Sequence, residues 1–225
     1  MNPFETNYGT LTRSGGAIDT KSPLPPKELI PRVFAFPPNP DSFGGISYLV
    51  KTQSNSFMVD VPEYIRQNIG FIENTGIPEF VFLTHRDDVA DADLFRREFG
   101  TKLIIHQSEK YAVKSPDITF QNSLKLNGVE IIHTPGHSPG SSCLYFPAGR
   151  VMFTGDHITA DGGKPVAEDF SWTYDYELQI LSGRKILEYD FQFILAGHGG
   201  RWLIRNAKEE LKKFIDGSGI GAKNG

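Results

Sequence analysis

Short runs of β-branched and aromatic residues recur along the chain, each closing on a glycine, a proline or a charged corner. From Val33 they read VFAF, ISYLV, SFMVD, EFVFLTH and KLIIH, then ITFQNSLKL with GVEIIH, and finally SSCLYF, RVMFTGDHI and FQFILAGHGG. Such runs predict strands, because branched and aromatic side chains suit a pleated surface. Segments of helical period lie between them. PEYIRQNIGFIENTG places Tyr64, Ile65, Ile69 and Ile72 at helical spacing, with Pro62 at a first turn. DVADADLFRREFG starts at Asp87 or Asp88 as cap and stops at Gly100. A short helix surrounds SEKYAV, YELQILSGRKILEYD is weakened at Ser182-Gly183, and RNAKEELKKFIDG closes the chain. PPNPDSFGG marks a long turn, and Asn127-Gly128 and Pro147-Ala148-Gly149 mark hairpins. The order is β-rich block, helix, strand, helix, then the same again. It predicts two sheets face to face with helices outside.

Residues 1–31, rich in Gly, Pro, Ser and Thr, read as an irregular arm, and residues 32–225 as one domain. At 225 residues the chain can bury a real core without staples. A net charge of −4 offers no basic face for nucleic acid or anionic lipid. No run approaches the ~20 apolar residues of a membrane span. The first residues lack a signal-peptide layout, and the lone Cys143 suits a reducing compartment, so the cytoplasm is expected.

Four hydrophobic runs end in metal-ligand residues: FVFLTHRDD, IIHTPGHSPGSS, VMFTGDHI and FQFILAGHGG. They supply His85, Asp87, Asp88, His137, Asp156 and His198, the imidazoles and carboxylates that a Zn, Fe or Mn site requires. His85 and Asp87 lie two apart at a strand end, so they can converge on one ion. Taken alone, Asp87 and Asp88 are better read as caps of the following helix. Pro135-Gly136 turns His137 beyond the sheet, and Ser138 and Ser141 are candidates to orient a ligand. Asp156 follows a buried strand and must be paired or ligated. His157 is expected to be solvated, His106 structural, and His133 packed or bonded locally.

In this order and spacing, THRDD, TPGHSPGSS, FTGD and AGHGG resemble the metallo-β-lactamase superfamily over roughly residues 33–205. The resemblance implies an αββα sandwich of two mixed sheets with the metal site at one edge. It also implies that His85, His137, Asp156 and His198 hold the ligand positions, with Asp156 bridging two ions. The chain departs from the family's T-H-x-H-x-D-H. Read without a gap, Asp87 replaces the second histidine and Val89-Ala90 replace the Asp-His pair. Aligned instead by the helix stop at Phe99-Gly100, Asp87 and Asp88 take the Asp-His pair and the second histidine is deleted. The second register keeps the helix length and is preferred. Asp87 is a ligand in either, and is taken as the catalytic carboxylate. A related branch reads H-x-D-D-V-A-D-H; its last histidine is Ala92 here, and Asp91 is expected to be a solvated helix residue.

The family mechanism implies a metal-bound hydroxide attacking an ester, thioester, amide or phosphoester. Three carboxylates among six ligands weaken Lewis acidity and move preference from Zn towards Fe or Mn. The expectation is a retuned metal-dependent hydrolase acting on a small ester or thioester, with one or two divalent ions. Two alternatives stand beside it. His85, His137 and Asp156 match the single-iron ligands of the superfamily's persulfide dioxygenase branch. Loss of two histidines also fits a non-catalytic binding protein holding no ion. Phe170, Trp172, Tyr174 and Tyr176 are candidate cleft walls. The partner expected is a small-molecule substrate, with no nucleic acid and no membrane; the sequence leaves the oligomeric state open.

Overall fold

The structure is a computed structural model, described over residues 24–199 and 203–221. The first sheet is built from β1 (Lys27–Ile30), β2 (Val33–Ala35), β3 (Tyr48–Lys51) and β4 (Ser56–Val59), all antiparallel neighbours. Helix α1 (Arg66–Thr75) leads to β5 (Phe80–Phe82), and helix α2 (Ala92–Phe99) to β6 (Lys102–His106), with β7 (Ile118–Phe120) beyond. The strands β4 to β7 are parallel, so this seven-stranded sheet is mixed, in the order β1-β2-β3-β4-β5-β6-β7.

The second half contains β8 (Ser123–Leu126), β9 (Val129–His133), β10 (Ser142–Phe146) and β11 (Val151–Gly155), then a small ribbon of β12 (Thr159–Asp161) and β13 (Lys164–Val166). Helix α3 (Tyr176–Ile186), β14 (Phe193–Ala196), β15 (Leu203–Arg205) and helix α4 (Ala207–Gly217) complete it. Its six-stranded sheet has the order β15-β14-β11-β10-β9-β8, with only β11 and β14 parallel. The arrangement is the expected αββα sandwich of two mixed sheets.

The period of two explains the layers, since alternate side chains leave opposite faces of each strand. Phe57 and Val59 of β4, Phe80 and Phe82 of β5, and Leu144 and Phe153 of β10 and β11 fill the space between the sheets. Their neighbours point outward. Met58, Val81, Leu83 and Leu103 meet Ile72 of α1 and Phe95 of α2, whereas Cys143, Met152 and Ile194 meet Ile180 of α3 and Leu211 of α4. Strands buried on both faces in this way lose the clean polar alternation of a surface sheet.

Several expectations need correction. Lys27–Ile30 of the supposed arm is the edge strand β1; residues 1–23 lie outside the described residues. Helix α1 starts at Arg66, because Ile65 is extended. Helix α2 starts at Ala92, so neither Asp87 nor Asp88 caps it; Gly100 does end it, in the left-handed region at φ 68°. Ser182 and Gly183 leave α3 unbroken, and both are buried in its packing. A β-carbon on Gly183 would come within 3.3 Å of Ile215 on α4, so the small residue lets the two helices approach.

Candidate metal centre

Every expected ligand lies just past a strand, at one edge of the sandwich. The first sheet delivers His85, Asp87 and Asp88 after β5. The second delivers His137 after β9, Asp156 after β11 and His198 after β14. Backbone bonds join the sheets at this edge: Ser142 N–H donates to the Thr84 carbonyl at 3.0 Å, and Ile46 N–H to the Gly197 carbonyl at 2.7 Å. Gly155 permits a close approach between the two sheets. It sits at φ 50°, and a β-carbon there would lie 2.3 Å from Thr84 Oγ1.

Two groups of donors result. His85, His137 and Asp156 form one, and Asp88, Asp156 and His198 form the other, each with its ligand atoms within 4.8 Å of one another. Asp156 belongs to both. His85 Nε2 lies 3.7 Å from Asp156 Oδ2 and 3.8 Å from Asp87 Oδ2; His137 Nε2 lies 4.0 and 3.8 Å from the same two oxygens. Asp87, 48% exposed, therefore flanks the first group from its solvent side. Buried Asp88 faces His198 at 3.9 Å. The geometry divides the two carboxylates between the groups, whereas the length-preserving register puts both on the family's Asp-His pair.

Bonds to neighbouring groups orient two of the imidazoles. Thr84 Oγ1–H donates to Asp60 Oδ2 at 2.9 Å, which leaves Thr84 Oγ1 to accept from His85 Nδ1–H at 3.0 Å. His85 Nε2 then keeps its lone pair, is buried, and has no hydrogen-bond partner among the described residues. His198 Nε2–H donates to the Ser42 carbonyl at 3.0 Å and turns Nδ1 towards Asp156 Oδ1 at 2.7 Å. Such outer bonds orient ligands and fix which nitrogen is free. Asp60 and Thr84 escaped the sequence reading, although Asp60 ends the buried run SFMVD as the ligands end theirs.

The electrostatics are strained by crowded carboxylates. Burial, then the charge of Asp156, pushes the Asp88 carboxyl up to about 7. Burial, then the charge of Asp88, raises Asp60 to about 7. For Asp156 burial acts upward, but the bond from His198 and the surrounding imidazoles carry it down to about 2. Burial would lower His198, yet its bond to Asp156 and the charges of Asp156 and Asp88 raise it to about 10. Asp87 is held below the usual range, first by the His137 imidazole beside it.

The remaining candidates fall away from the centre. His157 is buried rather than solvated, and burial lowers it to about 3, so it stays neutral. His106 Nε2–H donates to the Gln121 carbonyl and its ring stacks on His133 at 3.8 Å; His133 bonds the Pro139 carbonyl, so both serve structure. The hydroxyls of Ser138 and Ser141 bond each other at 2.8 Å and stitch the turn carrying His137. Asp91 accepts from Tyr64 N–H at 3.0 Å. Phe170 stacks on Trp172 in an exposed loop with Tyr174, while Tyr176 packs on the core of the second sheet.

The sequence pattern of the metallo-beta-lactamase superfamily matches residues 70–198, which contain all six candidate ligands. The chain belongs to this superfamily. Hydroxyacylglutathione hydrolases of Brucella ovis and Brucella abortus are 33% identical over 109 residues, 46% of this chain and 42% of theirs. The match thus spans less than half the length of those curated relatives. Among solved structures, the BLEG-1 B3 metallo-beta-lactamase has 22% identity and a TM-score of 0.65, covering 79% of this chain and 95% of its own. TTHA1623 in a di-iron-bound form has 21% identity and a TM-score of 0.64, covering 76% and 94%. VMB-1 reaches a TM-score of 0.69 at 16% identity, covering 87% and 96%. These likenesses establish the fold. Among the described residues no helix is long and apolar enough to cross a membrane.

Proposed function

We propose that this superfamily member is a metal-dependent hydrolase with a carboxylate-rich site for two divalent cations, acting on a small ester or thioester. His85, His137 and Asp156 would hold one cation, with Asp87 beside them. Asp88, Asp156 and His198 would hold the other. The observation that carries the reading is Asp156 shared between two donor groups. His85 Nε2 and Asp88 Oδ1, buried and without a hydrogen-bond partner among the described residues, fit it, since polar atoms left this way call for a charge.

A divalent cation supplies an acidified water and polarises a substrate carbonyl oxygen. The chain's own residues prepare for that chemistry. Asp60 and Thr84 keep the His85 lone pair free, and the Ser42 carbonyl, bonded to Nε2, aims His198 Nδ1 at the site. Half-exposed Asp87 is assigned the catalytic part, taking a proton from the attacking water and passing it to solvent at the mouth of the site. The name of the Brucella relatives, a hydrolase of an acylated glutathione, supports a thioester among the substrates. The oxygen-rich donor set, with the di-iron form of TTHA1623, keeps Fe and Mn beside Zn as the resident metal. Residues 32–225 form one domain on this reading, with β1 added at its edge. The single buried Cys143 suits a reducing compartment such as the cytoplasm.

One other reading has a specific observation behind it: His85, His137 and Asp156 alone form the two-histidine, one-carboxylate face of a mononuclear iron oxygenase. Metal analysis of protein purified without chelator separates the two. About two ions per chain support the hydrolase, and a single iron supports the oxygenase. No uptake after incubation with Zn, Mn or Fe leaves a binding protein of the same fold. A screen over esters, thioesters, lactones and phosphodiesters then tests the substrate class.

A further inference from the structure

Helix α3 touches both ligand loops of the second sheet. Gln179 is fully buried on its first turns, and its Nε2 donates to the His157 carbonyl at 2.7 Å and to the Asp156 carbonyl at 3.5 Å. One turn on, Ser182 Oγ–H donates to the Pro135 carbonyl at 2.6 Å. The residues entering the helix hold the same loop from the other side: Tyr174 N–H donates to the His137 carbonyl at 3.0 Å, and Asp175 N–H to the Gly136 carbonyl at 2.9 Å. Gly136 lies against the helix itself. At φ 143°, its missing β-carbon would fall 2.2 Å from Gln179 Cα. A buried amide on a helix face is costly to desolvate, and helix packing needs none. Its N–H groups end instead on the consecutive carbonyls of Asp156 and His157.

We propose that α3 is a clasp, with Gln179 and Ser182 as positioning residues that set the spacing between His137 and Asp156. The inference rests on the reading that these residues hold cations. Neither residue reaches a ligand side chain; each acts on the carbonyls of the loop that carries one. Gln179 fixes the loop after β11, Ser182 fixes the loop after β9, and the rigid helix between them transmits one distance to the other.

The test uses the full-length protein, Zn(II) affinity by chelator competition, and the absorption spectrum of the Co(II)-loaded form, which reports ligand geometry. Gln179→Met keeps the volume and removes the donors. It is expected to retain the fold by circular dichroism, to weaken Zn(II) binding by about 10–100-fold, and to shift the Co(II) bands. Ser182→Ala removes one bond and is expected to weaken binding by roughly fivefold. A folded Gln179→Met with wild-type affinity and spectrum overturns the clasp. Should Gln179→Met not fold, Ser182→Ala decides alone: unchanged affinity and bands overturn it, and a loss with shifted bands upholds it. Wild-type protein that takes up neither Zn(II) nor Co(II) defeats the metal reading itself, a separate outcome.

Discussion

Loading the second donor group with a cation must expel protons, because the free protein holds them there. His198 is raised to about 10 and Asp88 to about 7. Both must give up their protons to become ligands. At neutral pH His198 releases one and Asp88 about half, so about 1.5 protons should leave per ion bound. The sign follows directly: raising the pH removes the competing protons and tightens binding. Between about pH 8 and pH 6 the His198 proton weakens affinity tenfold per unit, and Asp88 adds about another tenfold, for a fall on the order of a thousandfold. Calorimetric titration with Zn(II) in two buffers of different ionisation enthalpy measures the proton count, and chelator competition at both pH values measures the affinity. Affinity unchanged over that range, with no proton released, would refute the assignment of His198 and Asp88 as ligands.

Other expectations are simpler. Thr84→Val should keep the fold yet untie His85 from Asp60, weakening metal binding by about 10–100-fold in chelator competition. Gly155→Ala places a methyl 2.3 Å from Thr84 Oγ1 at a left-handed φ of 50°. Left-handed strain and overpacking together should remove roughly 2–5 kcal/mol, read from the urea midpoint. Cys143 is fully buried and its thiol is pushed up to about 12, first by burial, so iodoacetamide at mildly alkaline pH should label it only after unfolding. Labelling of the native protein at the rate of a free thiol would contradict that.

How much was legible in the chain depended on whether a feature is local. The strands carrying ligands were legible because each is a buried run closed by a turn residue, and the hairpin at Asn127-Gly128 because both residues adopt positive φ, 45° and 88°. The short strand β1 was hidden: KELI has one buried residue and gains its pairing only from β2. Strands β12, β13 and β15 were equally hidden, since TAD, KPV and LIR are three residues long with no more than two apolar side chains each. His157 was misplaced because burial depends on α3 folding over it, which adjacent sequence does not reveal. The partition of Asp87 and Asp88 could not be read at all. It depends on how the turn after His85 folds, which sets two sequence neighbours against different donor groups.

The donors come from both halves of the sandwich, with three from the loop after β5 and three from the opposite sheet. A cation here would act as a rivet between layers that otherwise meet through apolar contact and a few backbone bonds. Because only the docked arrangement presents all the donors, the apparent melting temperature should climb with free metal concentration. Loss of the ion would loosen the seam between the sheets before it disturbed either sheet alone.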